Sequence, residues 1–97
     1  MVRKVNEYSL SDALQQYLEE KKLMPKLLSK KVVTDWSQIV GQPIADQTKE
    51  IWIAKEILYL KIENPAWKNE LSYAKSKLIV RINEYVGKEI IKDIRIS

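Results

Sequence analysis

The sequence predicts one α+β domain of element order ααββαβ, a single three-stranded sheet with helices packed on one face. Three observations carry this reading. Apolar residues recur at helical spacing in three stretches and alternate with polar ones in two shorter runs. Glycine, proline and asparagine stand at the joints between those stretches. The chain has 97 residues, which fits one domain, and 45% are apolar, enough for a packed core.

Residues 1–9 have no period and read as a flexible N-terminal arm, with the domain over residues 10–97. Ser9 suits an N-cap, with Asp12 three residues on. Leu10, Leu14, Tyr17 and Leu18 then predict a helix over about 10–21. Pro25 fits the first turn of a second helix, where its missing N–H costs nothing. Leu28, Val32, Trp36, Ile39 and Val40 form the apolar stripe of that helix, with Lys26, Lys30, Thr34 and Ser37 opposite. Gly41 stops it, and Ile44 to Thr48 reads as a connector with room for one helical turn.

Lys49 to Ala54 and Ile57 to Glu63 are of strand type. In the second, Leu58, Leu60 and Ile62 point one way and Tyr59, Lys61 and Glu63 the other. Lys55-Glu56 joins them without the Asn-Gly chemistry of favoured hairpin turns, which leaves the turn type open. Asn64-Pro65 is a strong helix start. Trp67, Leu71, Ala74, Leu78, Ile82 and Tyr85 mark one long helix ended by Gly87. Ile90 to Ile96 predicts a last strand, with Ile94 and Ile96 on one face and Asp93 and Arg95 on the other.

Composition excludes several chemistries. The chain has no cysteine and no histidine, so it has no disulfide, no thiol nucleophile and none of the usual zinc ligands. The commonest general base at neutral pH is also missing. No nucleophile–base–orienter set or phosphate loop can be assembled, so the reading is a non-enzyme without cofactor or metal. No apolar run approaches a membrane span, and the N-terminus lacks the apolar core of a signal peptide, which together predict a cytoplasmic protein. The net charge of +4 leans toward anionic partners.

Three sets of residues stand out. Lys22, Lys26, Lys30 and Lys31 belong to a run over residues 21–31 that holds no acid, and they suit phosphate contacts; Lys26 and Lys30 project together. Lys77 and Arg81 are i,i+4 neighbours on the long helix, with Glu70 and Glu84 on the same stripe to offset them. Trp52, Tyr59 and Lys61 share the open face of the sheet if Ile51 and Ile53 face the helices. An aromatic pair beside a cation can stack on bases, anchor a protein partner or close a homodimer. Trp36 and Trp67 fall on apolar stripes and read as core, while Tyr73 and Val80, on the polar side of the long helix, are expected to pack on another helix.

The order and spacing of these residues resemble a known family. Trp36-(x2)-Ile39-Val40-Gly41-(x2)-Ile44-Ala45-(x2)-Thr48 is similar to the opening signature of the DciA family. The run Leu58 to Leu71, with Glu63-Asn64-Pro65-Ala66-Trp67 and Glu70-Leu71, resembles its second signature. The ending Leu78-Ile79-(x2)-Ile82-Asn83-(x2)-Val86-Gly87, then Ile91-(x2)-Ile94-Arg95, fits as well, so the resemblance covers roughly residues 10–97. It implies a fold similar to the K-homology (KH) domain, binding to the DnaB-type replicative helicase at replication initiation, and DNA binding. The pattern departs where Lys55-Glu56 replaces a turn usually containing glycine, and where Ser97 directly follows the last strand instead of a basic extension. The Gly-x-x-Gly loop of nucleic-acid-clamping KH domains is absent, since Gly41 and Gly87 are the only glycines. An RNA-binding module and an interaction domain without nucleic acid remain the alternatives to a DNA-replication accessory.

Overall fold

A computed structural model describes residues 12–17 and 23–97. Residues 12–17 are helical (α1), inside the stretch where the first helix is expected. The expected Ser9 cap, Lys21 and Lys22 lie outside the described residues. There follow α2 (Met24–Thr34), α3 (Trp36–Val40), α4 (Gln42–Gln47), β1 (Thr48–Ala54), β2 (Ile57–Ile62), α5 (Pro65–Tyr73), α6 (Lys75–Val86) and β3 (Asp93–Ile96). The class is the predicted one, mixed α+β with one three-stranded sheet.

β2 is the central strand. It pairs antiparallel with β1 and parallel with β3. Its alternation puts Leu58, Leu60 and Ile62 on one face, where they are buried with Ile94 of β3. Ile51, Ile53 and Ile96 pack against them. The helices cover this face with Val32, Trp36, Ile39, Leu71, Leu78 and Ile82. Burial of one such aliphatic side chain stabilises the fold by about 1.5–3 kcal/mol, so the fold rests on this layer. Trp36 is core as expected, and Trp67 is half-buried against the core.

The turn left open by the sequence has both central residues at positive φ, 51° at Lys55 and 66° at Glu56. That is the type I′ pattern, whose twist matches a two-residue hairpin. The Glu56 carbonyl accepts from the Lys92 N–H at 2.7 Å, and the two side chains pair at 3.2 Å. These contacts fasten the turn to the segment leading into β3.

Two expected helices are each broken, without proline or glycine at the break. The second bends at Asp35 (φ −98°, ψ 20°), between α2 and α3. Helix α6 grips the bend and the end of α3. The Tyr85 hydroxyl donates to Asp35 Oδ2 at 2.8 Å, and Arg81 Nε donates to the Ile39 carbonyl. The expected long helix bends at Ala74, whose N–H bonds back three residues to Leu71. The bend lets α5 follow β2 while α6 packs on α2, α3 and β3. The connector also holds more helix than one turn needs, since α4 spans Gln42–Gln47.

The last strand starts later than expected, at Asp93. Ile90 and Ile91 are buried, yet their backbone is held by a side chain and not by a strand. Asn83 Oδ1 accepts from the N–H groups of Ile90 and Ile91, at 3.0 and 3.1 Å, and Asn83 Nδ2 donates to the Ile91 carbonyl at 3.0 Å. Tyr73 and Val80, expected to pack on another helix, are 83% and 54% exposed.

Candidate nucleic-acid and partner surface

The face of the sheet left uncovered among the described residues is built by the pleat. Once Ile51 and Ile53 face the helices, Glu50 and Trp52 must face out. Trp52 pairs with Tyr59 across the hairpin and Glu50 with Lys61. The Trp52 and Tyr59 rings stack, with centroids 5.2 Å apart and planes 7° from parallel. Trp52 remains 45% exposed and Tyr59 is half-buried. Lys61 is 3.9 Å from the Glu50 carboxylate, so its charge is partly offset. The parallel register adds a residue that the sequence reading did not select. Arg95 lies directly beside Tyr59, completing the row Trp52–Tyr59–Arg95 across all three strands. Its alternation with Ile94 and Ile96 was visible in the sequence, but its neighbour depends on strand order.

Of the basic residues expected to contact phosphates, Lys26, Lys30 and Lys31 lie on α2 and Lys77 and Arg81 on α6. Lys26 borders a hollow of about 540 Å³ with Pro25, Ser29, Lys55 and Glu56. Lys30 and Lys31 border another of about 360 Å³ with Leu27 and Thr34. Lys77 and Arg81 border a third of about 590 Å³, between α6 and the Val40–Ile44 region, with Leu78, Val80 and Glu84. Lys22 lies outside the described residues.

Two of these cations also make contacts within the fold. Lys31 Nζ pairs with Asp35 Oδ2 at 3.2 Å and lies 5.7 Å from the Tyr85 ring centre. Arg81 bonds the Ile39 carbonyl at the end of α3. Lys26 and Lys30 are exposed and make no ion pair among the described residues. The Tyr85 hydrogen bond, then that of Lys31, holds the Asp35 carboxyl below its ordinary pKa. The same bond to Asp35, then burial, pushes the Tyr85 phenol up.

The residues of the first signature form one structural unit. The Trp36 indole N–H donates to Thr48 Oγ1 at 3.0 Å, and the Thr48 hydroxyl donates to the Ile44 carbonyl at 2.9 Å. This chain of bonds fastens α3 and α4 to the start of β1. In the second signature Asn64 caps α5, its side chain accepting from the N–H groups of Ala66 and Trp67. Both signatures therefore carry local structure. Among the described residues no cluster of three or more acidic side chains could hold a metal, and no helix is long and apolar enough to cross a membrane.

Comparison with known proteins agrees with these features. The family model described as "Dna[CI] antecedent, DciA" matches residues 9–96. A UPF0232 protein of Rhodococcus jostii is 30% identical over 73 residues, covering 75% of this chain and 39% of the relative. One from Mycobacterium ulcerans is 30% identical over 66 residues, 68% of this chain and 35% of the relative. One from Corynebacterium glutamicum is 31% identical over 65 residues, 67% of this chain and 36% of the relative. The chain thus spans little more than a third of the length of these relatives. No solved structure matches it. With the family model covering nearly all of its length, the chain belongs to the DciA family.

Proposed function

We propose that this chain is a non-enzymatic accessory of DNA replication that acts in the cytoplasm. It binds the DnaB-type replicative helicase as part of helicase loading and contacts DNA weakly. The observation that carries the reading is the family match over residues 9–96. Support for the DNA contact comes from Lys26 and Lys30, two exposed cations one helical turn apart on α2. Their contact is with phosphates, so it is independent of sequence and weakened by salt.

A titration of the folded chain against the replicative helicase of the same organism tests the reading. Saturable binding is expected. A helicase that is folded and active, yet shows no detectable binding, refutes it.

A further inference from the structure

We infer that the open face of the sheet is a stacking site for the bases of an unpaired nucleic-acid strand, centred on Trp52 and Tyr59 and flanked by Arg95. The inference stands on this face alone and does not depend on the helicase reading. It also assigns a site separate from the lysines of α2.

Three observations converge on this occupant. The first is the ring pair. Trp52 and Tyr59 stack on each other with planes 7° from parallel. Each ring therefore has one face against its partner and one turned outward along the row. Those outward faces can take a base each, and every base has a π-face, so the contact tolerates any sequence.

The second is charge. On the Tyr59 side the next residue in the row is Arg95, which is exposed and makes no ion pair among the described residues. A guanidinium there can pair with a phosphate or stack on the base held by Tyr59. Lys61, in contrast, already faces Glu50.

The third is size, which weighs against a protein occupant. Three strands are about 14 Å wide, and six residues about 20 Å long, which makes roughly 300 Å². A stable protein interface takes about 800 Å² from each partner. A second copy seated on this face falls well short, whereas two stacked bases need no more than the row supplies. A duplex hides its base faces inside the helix, so the site selects an unpaired strand.

The test is anisotropy of a labelled oligothymidylate, titrated with the full chain at low and at high salt. An abasic strand and a duplex of equal length serve as comparison ligands. The intact strand is expected to bind, with part of its affinity surviving high salt. Trp52→Ala is expected to weaken binding by about tenfold or more, and Trp52→Phe, which keeps a ring, by much less. The abasic strand and the duplex are expected to bind the unaltered chain no better than the intact strand binds Trp52→Ala. Comparing ligands on the unaltered protein keeps the test valid even if Trp52→Ala does not fold. Absence of strand binding overturns the inference, as does equal affinity for the intact and abasic strands. So does a folded Trp52→Ala variant that binds as well as the unaltered chain, or one that converts a dimer to a monomer.

Discussion

Asn83 shows how much one polar side chain can decide. Its amide satisfies two backbone N–H groups and one carbonyl of Ile90 and Ile91, in a part-buried place where no strand partner reaches them. Those two isoleucines are thereby held in the core ahead of β3. Asn83→Ala leaves all three groups without their partner, and a buried unsatisfied group costs about 1–3 kcal/mol. The variant is expected to lose at least about that much stability, read as a lower urea midpoint at unchanged slope. In the sequence Asn83 was visible only as a member of a family pattern. Helical periodicity puts it beside an apolar stripe, and nothing in the periodicity says which backbone it meets. Arg95 is similar. Its face was legible from alternation, but its place beside Tyr59 follows from the parallel pairing of β2 with β3.

At the scale of elements, the hairpin was legible and its turn was not. The alternation of β2 gave its two faces, but β1 left the side of Trp52 open, and the structure turns that ring outward. The turn residues, Lys55 and Glu56, are poor type I′ formers, yet both adopt positive φ. A left-handed backbone costs a residue with a Cβ about 1–2 kcal/mol, less for asparagine and least for glycine. Replacing Lys55-Glu56 by Asn-Gly is expected to stabilise the protein by about 1 kcal/mol. The Glu56–Lys92 pair lost in the exchange is exposed and worth little. A urea midpoint no higher than that of the unaltered chain would show that the strain is offset elsewhere. Helix starts were also legible, because Asn64 and Pro65 act locally. The bends at Asp35 and Ala74 were not, since both preserve the apolar stripe and neither has a breaker residue.

At the scale of the molecule, α6 ties the helical layer together. Through Tyr85 and Arg81 it holds the Asp35 bend and the end of α3, and Lys31 joins the same cluster. This makes the link sensitive to pH at two ends. Asp35 has a lowered pKa in the folded state, so its contribution is present in full above the usual carboxylate range. It is lost as pH falls through the lowered value. Tyr85 has a raised pKa, so its contribution is present below the usual phenol range and lost as pH rises through the raised value. Across neutral pH the link is intact. Asp35→Asn is expected to flatten the acid side of the stability–pH curve, measured by urea unfolding at a series of pH values. An acid limb of unchanged steepness would remove Asp35 from that role.

The sequence by itself determined the class of fold, the two faces of β2, the starts and stops at Asn64 and Gly87, and the absence of thiol and imidazole chemistry. These follow from residue type and from periods of 2 and 3.6, which act over a few neighbours. Tertiary structure alone decided the strand order, the helix bends, the capture of the Ile90–Ile91 backbone by Asn83 and the bond from Arg81 to the Ile39 carbonyl. Each of these depends on groups far apart in the chain meeting in space, and no local pattern records such a meeting. The small α+β domain expected from the periodicity is therefore the one observed, and its open sheet face owes Trp52 and Tyr59 to the pleat but Arg95 to the topology.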